Sequence, residues 1–266
     1  GNLPGAPALM GNVCVWKPSK TGVYSAHLIM EILKEAGLPD GVINLVYCSG
    51  PTAADVIFSH KDFAGIHFTG STQVFNDIWA TIVKNIDKYR SYPRIVGETG
   101  GKDYIFADPT ACPKEVATAI VRGAFEYQGQ KCSAASRAYI PANIWPEVEN
   151  YVQEDMANIK VGGVEDFTNF VNAVIDEASF VKLSNAIDAA NKSEDAEVII
   201  GGHYDMSAGY FIQPTIIQAF KPDYITMREE LFGPILTVYV YDPEKVDETL
   251  DILDKSSAYA LTGAIF

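Results

Sequence analysis

The 266 residues carry 34 acidic against 20 basic side chains, a formal charge of −14, with 48% hydrophobic content. That size and apolar content suffice for one large domain or two medium ones and exclude wholesale disorder. The acidic balance argues against a nucleic-acid partner, which needs a basic patch, and no apolar stretch is long enough to span a bilayer. The cysteines are Cys14, Cys48, Cys112 and Cys132. None forms a CxxC pair or has histidines at ligand spacing, so no metal site is expected, and the thiols read as reduced. The opening Gly1-Asn2-Leu3-Pro4-Gly5, without a methionine, reads as the middle of a longer chain whose targeting segment would lie upstream.

Taken in chain order, β-branched or aromatic runs at residues 13–16, 42–46, 66–68 and 94–96 predict short strands. Between them the apolar spacing predicts helices. In residues 25–36, Ala26, Ile29, Ile32, Leu33 and Ala36 share one face, and Gly37 then Pro39 end the helix. Further helices are expected at 52–58 and from 72 to about 89. Such alternation predicts βαβ units around a parallel sheet. Beyond Gly101 the pattern continues with helices near 114–127, 146–159 and 178–191 and strands at 138–140, 198–200 and 235–241. A glycine-rich turn at 98–101 separates two expected domains, 1–98 and 99–266.

Five segments carry candidate chemistry. Phe68-Thr69-Gly70-Ser71-Thr72 follows a strand and opens a helix, where a glycine admits a ligand close to the backbone and the following amides favour an anion. The same pattern also describes ordinary capping by Ser71 or Thr72. It is not the GxGxxG fingerprint, because Phe75 stands where a later glycine would fall. Lys17, ending the first strand, reads either as a ligand-facing side chain at a sheet edge or as a solvated lysine. Glu98, in Gly97-Glu98-Thr99-Gly100-Gly101-Lys102, reads as a partly dehydrated base or as a surface carboxylate. Cys132 follows Gly129 in a turn beside Lys131, a cation that would favour thiolate; the alternative is a packing thiol. Glu229-Glu230-Leu231-Phe232-Gly233-Pro234 precedes a strand, and its alternative is a loop with charges in water.

Taken in chain order, and joined by Gly209-Tyr210-Phe211-Ile212-Gln213-Pro214-Thr215, these segments resemble the aldehyde dehydrogenase superfamily along essentially the whole chain. The resemblance implies an α/β fold: a Rossmann-like, parallel-sheet NAD-binding domain plus a second α/β catalytic domain, both truncated. It implies that the Cys132 thiolate attacks an aldehyde to give a thiohemiacetal, that hydride leaves for the nicotinamide, and that Glu98 activates the water hydrolysing the resulting thioester. Lys17 and Glu230 would hold the adenosine and nicotinamide ribose hydroxyls. Gly70 and Ser71, with the amides of Thr72, Gln73 and Val74, would face the pyrophosphate, and Phe232 would pack near the nicotinamide. Ser133 and Lys131 are the candidate substrate contacts.

Within the superfamily, residues 2–19, 124–134 and 174–183 are most similar to the branch that oxidises L-glutamate γ-semialdehyde in proline catabolism, in its eukaryotic mitochondrial form. That branch also lacks the glycine replaced by Phe75. The resemblance implies a small-molecule aldehyde, a matrix location and a homo-oligomeric full-length protein, without nucleic-acid or membrane partners. The alternatives are a succinate or methylmalonate semialdehyde enzyme, a cofactor-free cysteine hydrolase, or an inactive nucleotide-binding fragment. Two departures bear on function. Lys20 stands where many NAD-using relatives carry an acid, which leaves NADP as a weaker second coenzyme. The family's oxyanion-hole asparagine falls upstream of Gly1, and Asn2 does not replace it, so this piece alone is expected to be a poor enzyme.

Overall fold

The computed structural model describes residues 1–259 and 261–266 and divides into two units, Gly1–Thr99 and Gly100–Phe266.

The first unit runs α1 (Asn2–Leu9), β1 (Cys14–Trp16), α2 (Val23–Glu35), β2 (Ile43–Leu45), α3 (Gly50–Ile57), β3 (Gly65–Thr69), α4 (Thr72–Lys84) and β4 (Arg94–Glu98). Strand β1 pairs parallel with β2, and β3 with β4, in which Thr69 lies opposite Glu98. Helix starts follow side-chain capping: Ser49 Oγ accepts from the Thr52 amide and Ser71 Oγ from the Val74 amide. The apolar face of α2 buries Ala26 and Met30, and Met30 packs with Cys14 and Ile43. Phe58, Phe63 and Ile82 form a second cluster beneath β3 and β4. Helix α1 is unanticipated from the sequence because Pro4, Gly5 and Pro7 all disfavour helix. The helix expected to reach residue 89 stops at Lys84, and a separate 3-10 turn, Ile86–Lys88, follows.

The second unit contains β5 (Asp103–Phe106), α5 (Pro113–Phe125), β6 (Ala135–Pro141), α6 (Trp145–Ala157), α7 (Glu177–Asn191), β7 (Ala196–Ile200), β8 (Tyr204–Asp205), β9 (Phe211–Ile212), β10 (Thr215–Ala219), α8 (Ile225–Arg228), β11 (Ile235–Tyr241), α9 (Val246–Lys255) and β12 (Gly263–Ile265). Six strands form one sheet in the order β12-β5-β6-β11-β10-β7. Every neighbouring pair is parallel except β7 with β10. Central strand β11 reads as a near-continuous apolar run, as strands covered on both faces do, while β6 carries the apolar run Ala138–Ile140 after a buried Arg137. Ile120, Phe125, Val148 and Val152 of α5 and α6 pack with Ala138, Ile140, Leu236 and Val238. Leu183 and Ile187 of α7 pack with Ile212, Ile217 and Ile235. Among the described residues no helix is long and apolar enough to cross a membrane.

The helix expected through residue 127 ends at Phe125. Tyr127, Gln128 and Gly129 then take positive φ in succession, 55°, 55° and 63°, which sends the chain out of α5 toward Cys132. Leu183 is 0% exposed, and its methyls lie 2.4 Å from where a Cβ on Gly233 would stand. Truncating Leu183 to Ala should therefore lower the unfolding free energy by about 2–5 kcal/mol. Urea unfolding that registers a loss below about 1 kcal/mol would contradict this packing.

Candidate functional site

In the first unit the residues of interest gather at the C-terminal ends of β3 and β4. The parallel register sets Thr69 beside Glu98, and the Gly70 amide donates to the Glu98 carbonyl at 3.1 Å. Gly70 and Ser71 thus form the turn from β3 into α4. Ser71 Oγ takes the Val74 amide at 3.3 Å, leaving the amides of Thr72 and Gln73 at the positive end of the helix. Thr72 Oγ1 is buried with no hydrogen-bond partner among the described residues. This turn, with an orphaned buried hydroxyl beside helix N–H groups, fits an anionic oxygen-rich group. The space a side chain at Gly70 would fill holds the Phe68 ring, 2.6 Å from the Cβ position, so the glycine accommodates Phe68 rather than a ligand. Glu98 is the last residue of β4 and is exposed, which matches the surface-carboxylate reading of the sequence and not the dehydrated one. Lys17 follows β1, half-buried, its Nζ donating to the Pro18 carbonyl at 2.6 Å. Lys20 opens a 3-10 turn capped by Ser19 and is exposed.

In the second unit three segments converge on the cysteine. Cys132 lies in a turn closed by the Ala134 amide on the Lys131 carbonyl, directly before β6, and is half-buried. The left-handed run before it is held by side chains. Gln128 Oε1 accepts from the Asn172 amide at 3.1 Å, and Gln130 Oε1 from the Ile175 amide at 3.0 Å. A Cβ on Gly101 would stand 2.6 Å from the Cys132 carbonyl oxygen, and one on Gly100 would stand 2.2 Å from Glu230 Oε2. Glu230 Oε1 accepts from the Gly101 amide at 3.0 Å. A Cβ on Gly129 would stand 2.4 Å from the Gly233 carbonyl oxygen. Phe232, between Glu230 and Gly233, takes φ 59° and is 41% exposed. The Gly100–Gly101 turn, the Cys132 turn and the Glu230–Gly233 loop therefore touch one another, two by two.

This juxtaposition of a half-buried thiol with a two-glycine turn and an acid-aromatic loop accords with the family comparison, in which residues 4–266 match the aldehyde dehydrogenase family. The chain belongs to the aldehyde dehydrogenase family. It is 50% identical over its whole length to the mitochondrial delta-1-pyrroline-5-carboxylate dehydrogenase of Dictyostelium discoideum, covering 48% of that protein. The rat enzyme of the same name is 45% identical, again over the whole chain and 47% of the relative. Among solved structures, the delta-pyrroline-5-carboxylate dehydrogenase of Mycobacterium tuberculosis bound with NAD superposes with a TM-score of 0.93 at 47% identity, covering 100% of this chain and 48% of that one. The chain thus spans about half the length of the relatives it matches.

Several sequence-derived candidate residues are brought together: Gly70, Ser71, Thr72, Gln73, Val74 and Glu98 in the first unit, Cys132, Glu230 and Phe232 in the second. Lys131 does not stand free beside the thiol, because its Nζ pairs with Glu126 Oε2 at 3.3 Å. Ser133 is exposed and lines a cavity of about 170 Å³ with Asp103, Tyr104 and Thr262. Among the described residues no cluster of three or more His, Cys, Asp or Glu side chains could hold a metal ion.

Sequence reasoning missed the charged layer beneath the site. Arg137, buried in β6, donates to the Lys102 carbonyl at 2.8 Å, to the Leu253 carbonyl and to Ser256. Buried Asp103 accepts from the Thr262 amide, its Oδ2 has no partner among the described residues, and burial pushes its carboxyl up. Lys102 is 2% exposed. Burial and the nearby Arg137 guanidinium pull its ammonium down to about 7; Lys182 adds to this, and Glu230 and Asp103 oppose it. Only the clustering of Lys102, Asp103 and Arg137 on adjacent strands could have revealed this, and pairing is not legible in the sequence.

The sign of the consequence follows from proton counting. Between about 7 in the fold and roughly 10.4 when unfolded, the unfolded chain holds a proton the folded chain lacks, so this group makes stability rise with pH. Below that window the full penalty of a buried ammonium applies. Lys102→Met should stabilise most at about pH 6.5, and the gain should shrink by about pH 9. Paired urea unfolding curves giving the same difference at both pH values would refute it.

Proposed function

We propose that this chain supplies the coenzyme cradle and the nucleophile of an NAD-dependent dehydrogenase that oxidises L-glutamate γ-semialdehyde, the open form of 1-pyrroline-5-carboxylate, to L-glutamate. The observation that carries this is the three-way contact of the Gly100–Gly101 turn, the Cys132 turn and the Glu230–Gly233 loop. The names of the relatives at 43–50% identity support the substrate.

Cys132 acts as the nucleophile: its thiolate adds to the aldehyde carbon and forms a thiohemiacetal, and loss of hydride from that carbon leaves a thioester on sulfur. NAD, when bound, accepts that hydride. The buried, unpartnered Thr72 Oγ1 beside the first amides of α4 supports a pyrophosphate at Gly70, Ser71, Thr72, Gln73 and Val74. Lys17 is assigned to the adenosine ribose. Glu230 is assigned to the nicotinamide ribose through the carboxylate oxygen not engaged by Gly101, and Phe232 to the nicotinamide face. Glu98 serves as the base that takes a proton from the hydrolytic water. Ser133 and Lys131 are assigned to the polar end of the substrate. Lys20 offers no negative charge against a 2′-phosphate, so NADP serves as a weaker coenzyme. Relatives named mitochondrial support a matrix location, and the whole protein is assigned as a homo-oligomer.

The test uses the whole protein with glutamate, succinate and methylmalonate semialdehydes side by side, glutamate semialdehyde being the expected preferred substrate. Replacing Glu98 by Gln keeps shape and removes the proton acceptor. One NADH burst stoichiometric with active sites should remain, followed by turnover slowed about 10²–10⁴-fold. Stopped-flow absorbance reads both phases. Unaltered steady-state turnover would return Glu98 to the status of a strand end.

A further inference from the structure

Phe75 lies in the first turns of α4, where a dinucleotide fingerprint would place a glycine, and its surroundings give it a task. A helical side chain leans toward the helix N-terminus, so the ring at Phe75 reaches back over the first turn. There it stacks on Phe68, the rings 5.8 Å apart at 16°, and meets Trp79 edge-on at 5.6 Å. Each ring of the stacked pair rests on a glycine. Phe68 fills the space beside Gly70, 2.6 Å from its would-be Cβ; Phe75 fills the space beside Gly97, 2.2 Å from its would-be Cβ. Gly70 opens the turn into α4, and Gly97 immediately precedes Glu98.

We propose that Phe75 is a positioning residue for the coenzyme: the Phe68–Phe75 pair clamps the Gly70–Thr72 turn against the end of β4 and thereby sets the affinity for the dinucleotide. This rests on the assignment of NAD to that turn. The clamp works through both glycines. The Gly70 amide is already bonded to the Glu98 carbonyl, so the turn and the strand end share one backbone link and one aromatic link. A turn fixed in advance presents its free amides without an ordering cost on binding. A small residue at position 75 would leave Gly97 uncovered and the first turn of α4 free to shift along β4.

The experiment measures NAD affinity at equilibrium by titration calorimetry in the whole protein, which requires no turnover. Phe75→Leu should raise the Kd for NAD by roughly three- to tenfold, the worth of one aromatic pair. Phe75→Tyr keeps the ring and should stay within about twofold of the unsubstituted protein. Gly97→Ala drives a methyl into the ring and should weaken binding at least as much as Phe75→Leu. The double variant should bind better than the product of the two single losses, because the smaller side chain vacates the space the methyl needs. Thermal melting of every variant separates a folding defect from an affinity defect. Unchanged Kd in Phe75→Leu, or strictly additive losses in the double variant, overturns the proposal while leaving the coenzyme assignment intact. Absence of NAD binding by the unsubstituted protein overturns both.

Discussion

The second unit is organised around a steric requirement at the cysteine. Three segments far apart in sequence meet there, two of the contacts backbone on backbone and the third backbone on the Glu230 carboxylate. At each meeting point one partner is a glycine: Gly100 under the Glu230 carboxylate, Gly101 against the Cys132 carbonyl, Gly129 against the Gly233 carbonyl. Even a methyl group at any of these places would overlap an oxygen, and the close-packed surroundings have little room to yield. The sheet supplies the frame. Strands β5 and β6 are neighbours, so the turn entering β5 and the turn entering β6 arrive side by side, and β11 beyond β6 brings the third loop in.

Charge is handled in an unusual way for so acidic a chain. Beneath the surface the second unit buries two cations, Lys102 and Arg137, with one carboxylate, Asp103. Arg137 meets its donor needs largely with carbonyl and hydroxyl oxygens and lies against the rings of Tyr104 and Tyr139. Lys102 has no such set and yields its proton more readily instead. The difference is one of chemistry: a guanidinium stays charged and must be solvated by the protein, whereas an amine can adapt by titrating.

How far the sequence carried the reading depended on whether local pattern decided the outcome. Helices with clear periodicity and caps, such as α2 with Ala26 and Met30 inward, were legible, as were the buried strands β6 and β11. The segments around Gly70, Glu98, Cys132 and Glu230 carried the family resemblance in their residue order, and the family match over residues 4–266 bears that resemblance out. Strands β5, β10 and β12, half of the six-stranded sheet, were not legible, and neither were three further features. Helix α1 forms despite two prolines. Helix α9 starts without a capping side chain, although Val246, Leu250 and Leu253 recur at helical spacing. The burial of Lys102 and the pairing of Lys131 with Glu126 depend on which strands and turns lie adjacent, and that is a tertiary outcome.

The left-handed run Tyr127–Gly129 bears on how the site is assembled. For residues with a side chain this backbone region costs about 1–2 kcal/mol each, so Tyr127 and Gln128 hold it only while something compels them. What compels them lies later in the chain: Asn172 and Ile175, bonded by Gln128 and Gln130, and Gly233, packed on Gly129. Asn172, Ile175 and Gly233 all follow the cysteine-bearing turn in sequence, so the contacts that hold its left-handed backbone can form only once those later segments are present. The turn that carries Cys132 is thus set by contacts with segments that lie well after it in the chain.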